Sequence, residues 1–232
     1  LHPDGFEQPA KSYFFNNLLE QEGWEMRLII AITGASGSIY GIRLLEFLNT
    51  RKDIETHLIM SATAGRVIPY ETAYARIEQV QRLATFCHRD EDLAAPVASG
   101  TFITAGMIVA PCSAKTLSAV AHAYGATLTG ESGARTRYAV PDFIARAADV
   151  CLKERRKLAL VFRETPLTLA HIDNMQRVTA MGGIVVPPLP AFYTRPATVD
   201  DIINHSVGKI LDLFGIEHDL FRRWGGKALA GC

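Results

Sequence analysis

Five short apolar runs, each followed by a turn and a stretch of helical periodicity, leave this chain few ways to fold. The runs are 27–33 (RLIIAIT), 56–61 (THLIMS), 107–111 (MIVAP), 158–163 (LALVFR) and 183–187 (GIVVP). Each is strand-sized and largely apolar, the pattern of a parallel strand covered on both faces. The segments 41–49, 64–70, 114–122, 168–181 and 199–213 read as helices, the first through Ile42, Leu45 and Leu48. This repetition predicts a doubly wound α/β fold, a Rossmann-like or flavodoxin-like parallel sheet with helices on both faces. Ligands of such folds settle beyond the carboxyl ends of the strands, so those loops are where chemistry is to be sought.

Bulk properties exclude several functions. At 232 residues the chain suffices for one substantial core. Lys and Arg number 24 against 24 Asp and Glu, which leaves no basic footprint for nucleic acid or an anionic membrane. No apolar run approaches the roughly 18–20 residues of a membrane span. The cysteines, at 87, 112, 151 and 232, form neither a CxxC pair nor a ligand-spaced cluster with histidine. That argues against a metal site and a disulfide framework and for reduced thiols in the cytoplasm. Residues 1–25 lack the basic and apolar regions of a signal peptide and read as an extension outside the fold. The expected domain is 26–224, interrupted by a Gly/Thr/Ser/Arg-rich insertion loop at 125–142 and followed by a tail at 225–232.

The first loop, TGASGSIYG from Thr33, is small enough to bring backbone N–H groups against a phosphate at a helix N-terminus. It matches neither GxGxxG nor a P-loop, and a tight packing turn is the alternative. Ser61 ends the second strand, as a ligand contact or as a helix cap. In Pro111-Cys112-Ser113-Ala114-Lys115-Thr116, Ser113 stands where an N-cap belongs, and Lys115 sits where the helix dipole disfavours a cation. A bound anion or electron-rich ring resolves that conflict; a solvated lysine is the alternative. Arg163 and Glu164 follow the fourth strand, as an exposed ion pair or as a carboxylate placed to exchange protons. Three prolines at 187, 188 and 190 present Phe192 and Tyr193, either as pocket walls or as core.

Taken together, TGASGSIYG, ETHLIMS, PCSAKTLSAVAHAY, ARAADVCLKERRKL, RETPL, PPLPAFY, KILD and RRW resemble the UbiX family of flavin prenyltransferases. The resemblance runs from Met26 to Trp224, apart from the 125–142 region, which is longer than the family pattern. It implies an enzyme that joins a dimethylallyl group, from dimethylallyl phosphate, to N5 and C6 of reduced FMN without a metal. The product, prenylated FMN, is the cofactor of UbiD-type decarboxylases. The resemblance also implies a large homo-oligomer, often a dodecamer, with flavin sites at subunit interfaces.

Carried over by position, Gly34, Ala35 and Ser36 match the FMN-binding turn, and Ser61, Ser113, Lys115, Thr116 and Arg146 match further flavin contacts. Lys153, Arg163, Tyr193 and Lys209 match the clamp on the prenyl phosphate, and Trp224 an aromatic bordering the site. Glu164 matches the acid/base residue and, with Lys153, Arg163 and Ser36, makes up the catalytic set. Allylic C–O cleavage leaves a cation and a phosphate. Cationic side chains suit the latter, and aromatic faces the former. Two other readings share the fold. An FMN-dependent cysteine decarboxylase has a PASANT-like loop where this chain has PCSAKT, and a non-catalytic flavin-carrying subunit of a decarboxylase needs no acid/base residue.

Overall fold

A computed structural model describes residues 24–123 and 142–224. The extension up to residue 23, the insertion from 124 to 141 and the tail from 225 lie outside the described residues. Six strands form one sheet: β1 (Met26–Ile32), β2 (Ile54–Met60), β3 (Phe86–His88), β4 (Gly106–Cys112), β5 (Lys157–Phe162) and β6 (Ile184–Val185). All neighbours pair in parallel, in the order β3-β2-β1-β4-β5-β6. This is the Rossmann order, which reverses between β1 and β4 and opens a crevice there.

Helices cover both faces because successive strand residues point to opposite sides. Leu28, Ile30 and Ile32 pack with α1 (Ser38–Leu48), α2 (Ala62–Glu71) and α7 (Val199–Leu213); Val80 of the short α3 (Ile77–Gln81) joins the same core. Ile29 and Ala31 face α4 (Ala114–Ala121), α5 (Phe143–Lys153) and α6 (Leu169–Ala180). Helix α1 lies unusually close to the sheet at Gly41. A Cβ there would stand 2.1 Å from the Ala110 carbonyl oxygen and 2.9 Å from an Ile32 side-chain carbon.

Strand β3 and helices α3 and α5 go beyond the sequence expectation. Strand β3 has three residues, with Phe86 and Cys87 exposed, so it shows no apolar run. It is held on β2 by the pairing of His57 with Phe86, whose rings stack at 5.1 Å. Helix α5 begins where the insertion ends, capped by the Asp142 carboxylate, which accepts the Ala145 N–H at 3.0 Å. Strand β6 ends at Val185, two residues before Pro187 and Pro188, which lack the N–H a longer ladder needs.

The polar residues of β2 are buried as a chain. Glu55 accepts hydrogen bonds from Arg27 Nε at 2.9 Å and from His57 Nε2 at 2.5 Å, and His57 Nδ1 lies 2.9 Å from His88 Nε2. Burial pushes the His57 imidazole below its usual pKa despite the pull of Glu55. No helix among the described residues is long and apolar enough to cross a membrane.

Candidate functional site

The crevice at the strand-order reversal is a cleft of about 400 Å³, within the range of small-molecule sites. Gly34 from the β1 turn, Ser61 after β2, and Ser113, Lys115 and Thr116 after β4 all line it. Five expected flavin contacts thus converge from three separate loops. Asp90, Asp142 and Thr63 line it as well, none of them singled out in the sequence.

Thr33 ties the two central strands together at the cleft floor. Its buried hydroxyl donates to the Pro111 carbonyl at 2.7 Å and accepts the Ser113 N–H at 3.0 Å. Thr33→Val keeps the shape, orphans the Ser113 N–H and leaves the Pro111 carbonyl only the longer bond from the Thr33 N–H at 3.3 Å, so unfolding free energy should fall by about 2 kcal/mol. Chemical denaturation checks this; an unchanged midpoint would show that water takes over both bonds.

The glycine turn holds a carboxylate of its own. Gly37 adopts a left-handed conformation, φ 101°, and its N–H donates to Glu71 Oε2 at 2.8 Å, with the Ser38 N–H at 3.2 Å. Burial alone would raise the Glu71 pKa, but hydrogen bonds from the Ser36 hydroxyl and these two backbone groups outweigh it and hold it below its usual value. Glu71 is the last residue of α2, so the positive end of α1 is already engaged within the chain. Ala35 and Ser36 adjoin Gly34 in this turn.

The α4 N-terminus faces the cleft instead. Ser113 caps it, accepting the Thr116 N–H at 3.2 Å and donating to Thr116 Oγ1 at 3.1 Å. Ser61 caps α2 in the same way, accepting the Ala64 N–H at 3.1 Å, so the capping and lining readings of both serines hold together. The conflict at Lys115 is resolved within the chain, because its ammonium lies 3.3 Å from Asp142 while the side chain stays exposed. Burial, then the nearby Asp142 charge, push the Asp90 carboxyl upward.

A second, smaller cleft of about 180 Å³ opens beyond β6, lined by Pro187, Pro188, Leu189, His205 and Lys209. The Tyr193 hydroxyl lies 3.0 Å from His205 Nε2, and Trp224 meets the Tyr193 ring edge-on at 5.9 Å. Tyr193, Lys209 and Trp224 therefore share one neighbourhood. Phe192 is 73% and Tyr193 54% exposed, so neither is core, and neither lines the cleft itself. Burial, then the Lys209 charge, lower the His205 pKa and favour its neutral form.

Arg163 and Glu164 leave β5, which lies between β4 at the first cleft and β6 at the second. Both side chains are exposed, and Glu164 Oε1 accepts the Thr165 N–H at 3.1 Å. The Arg163 charge acts on Tyr40 of α1, where burial raises the phenol pKa and Arg163 partly offsets it. Arg146 and Lys153 line neither cleft. Arg146 pairs with Asp149 at 2.9 Å, and Lys153 pairs with Glu154 at the far end of α5, about 15 Å from the helix start.

Among the described residues no group of three or more His, Cys, Asp or Glu is placed to hold a metal ion. Glu71, Asp142 and His205 were not apparent beforehand. Glu71 and Asp142 act through contacts that no local motif encodes, and His205 sits mid-helix.

A family model described as Flavoprotein matches residues 17–131. The flavin prenyltransferase UbiX of Thauera aromatica is 52% identical over 202 residues, covering 87% of this chain and 95% of the relative. The crystal structure of AnUbiX in complex with FMN and dimethylallyl pyrophosphate superposes with a TM-score of 0.78 at 44% identity, covering 87% of this chain and 98% of that one. A dodecameric FMN-dependent UbiX-like decarboxylase from Escherichia coli O157:H7 also superposes at 0.78, with 46% identity and coverage of 87% and 100%. The cleft between β1 and β4 and the sequence likeness along most of the chain agree: this chain belongs to the UbiX family of flavin prenyltransferases.

Proposed function

We propose that the 400 Å³ cleft binds reduced FMN as a substrate, and that residues around it transfer a dimethylallyl group to the flavin. The observation that carries this is the convergence of Gly34, Ser61, Ser113, Lys115 and Thr116 at the strand-order reversal, with the α4 N-terminus open to the cleft. A helix N-terminus with hydroxyls and one cation suits the flavin phosphate. The dimethylallyl group brings the electrophilic carbon, and reduced FMN the nucleophilic ring, so the chemistry asks no metal of the protein.

The remaining residues divide the work. Gly34, Ala35 and Ser36 bound the flavin from the β1 turn, with Ser36 held in place by Glu71. Arg163, Lys209 and Lys153 bring positive charge to the departing phosphate, Tyr193 donates a hydrogen bond to it, and Trp224 closes the apolar side. Glu164 protonates the leaving phosphate and removes a proton from the ring carbon that is alkylated.

Arg146 and Lys153 lie outside the cleft of their own chain, which favours a site completed by a neighbouring copy in a homo-oligomer. Exposed apolar side chains support such an assembly: Leu169 at 72%, Leu189 at 71% and Trp224 at 75%. A dodecamer is the state this reading expects. A UbiD-type decarboxylase is the recipient of the product, and a cytoplasmic location fits the free thiols of Cys87, Cys112 and Cys151.

The test is incubation of the protein with reduced FMN and either dimethylallyl monophosphate or diphosphate, without added metal. The expected result is a flavin species heavier by one prenyl unit on mass spectrometry, formed faster from the monophosphate. Flavin recovered unchanged from both donors would overturn the reading. Size-exclusion chromatography with light scattering tests the assembly, with a dodecameric mass expected.

A further inference from the structure

His205 stands one helical turn before Lys209 on α7 and is 92% removed from solvent, its relative exposure being 8%. Its neighbours on the helix, Ile203 and Val207, belong to the apolar core. A polar ring in such a place needs a partner. The Tyr193 hydroxyl is that partner, at 3.0 Å from Nε2. Phe221 packs on the imidazole at 4.7 Å between centroids, and Trp224 braces the Tyr193 ring from its edge at 5.9 Å. The pair is therefore fixed on both sides while the phenol stays open to the surface.

We infer that His205 is a positioning residue for Tyr193: its Nε2–H donates to the phenol oxygen and turns the phenol proton toward the phosphate of the prenyl donor. This rests on the prenyltransferase reading above. The argument is one of hydrogen-bond direction. A neutral imidazole carries one N–H and one lone pair. If the lone pair faced Tyr193, it would take the phenol proton and leave only lone pairs for an anionic substrate, which repel it. With the N–H facing Tyr193, the phenol oxygen is satisfied as acceptor and its proton is free to donate. Donation from the imidazole also polarises the O–H and strengthens its bond to a phosphate oxygen.

The experiment is a double-mutant cycle in the full-length enzyme, with adduct formation followed against dimethylallyl monophosphate. His205→Phe keeps the ring contacts and removes the nitrogen. It should raise KM for the prenyl donor roughly tenfold, the scale of one hydrogen bond to a charged ligand, with less change in kcat. FMN affinity, read by quenching of flavin fluorescence, should not move. His205→Gln, which can place an amide N–H near the same point, should recover most of the loss. In a Tyr193→Phe background, His205→Phe should cost nothing further.

Additive losses in the cycle would overturn the assignment. So would a fall in melting temperature and FMN affinity with KM unchanged, which would mark a packing residue. If the unmodified protein forms no adduct, the prenyltransferase reading falls and the role of His205 falls with it. Active wild-type enzyme with an additive cycle overturns the positioning alone.

Discussion

Replacing Glu164 by glutamine should slow adduct formation by about 10² to 10³, the scale of a lost general acid, while FMN binds as before. The structure makes this a clean removal. Glu164 is exposed, and its contact within the chain is the Thr165 N–H at 3.1 Å, which a glutamine carbonyl accepts equally well. Neither the β5 end nor the flavin cleft depends on its charge. What the amide cannot do is give a proton to a leaving phosphate or take one from the flavin ring. A monophosphate leaves poorly unless protonated, so the loss should be larger with the monophosphate than with the diphosphate. Single-turnover kinetics with both donors checks it. Equal activity of the variant with both would remove Glu164 from the chemistry and favour a flavin carrier.

Gly41→Ala should be strongly destabilising although it adds only one methyl group. Alanine is the better helix former by about 1 kcal/mol, and on that ground alone the change would stabilise α1. Against this stands a Cβ placed 2.1 Å from the Ala110 carbonyl oxygen. That oxygen belongs to β4 at the centre of the sheet, so no flexible side chain can swing aside. Helix α1 must retreat, and with it Ile42, Leu44, Leu45 and Leu48, all essentially inaccessible to solvent. The net cost should be about 3 kcal/mol, the upper part of the overpacking range. For a chain of this size that lowers the melting temperature by about 10 °C. The same retreat disturbs the glycine turn, so FMN affinity should fall too. A variant that melts at or above the parent temperature would show that α1 has room to move.

The strands that carry the site were legible because burial on both faces writes itself as an apolar run. Once the runs are placed, parallel topology brings their carboxyl ends together, and this is why Gly34, Ser61 and Ser113 meet although they lie far apart in sequence. Strand β3 was invisible because its outer position lets Phe86 and Cys87 stay exposed. Helix α5 was hidden by the insertion that precedes it and by the RAADV motif, which drew a functional reading rather than a structural one.

The charge balance of the cleft was the least legible part. The turn from Thr33 reads as an anion site because its backbone N–H groups have no partner within the motif. In the fold, Glu71 reaches them across 34 residues. Lys115 likewise read either as a ligand contact or as a solvated lysine, and in the fold its ammonium lies beside Asp142. Both answers come from carboxylates at helix ends, where sequence shows only a polar residue among others. Lys153 and Arg146 mark a different limit: within one chain they line neither cleft, and nothing in their local sequence says so.

The Thr33 bonds also bear on the order in which the molecule assembles. They join residues 78 and 80 positions apart, across the point where the two halves of the sheet meet. Contacts so distant in sequence require long loops to close and are slow to form. The half containing β1 and β2 can pair through nearer neighbours, but the flavin cleft does not exist until β4 docks on β1. Refolding followed by flavin fluorescence should therefore lag behind refolding followed by far-ultraviolet circular dichroism. Capture of FMN would then report completion of the sheet rather than its beginning.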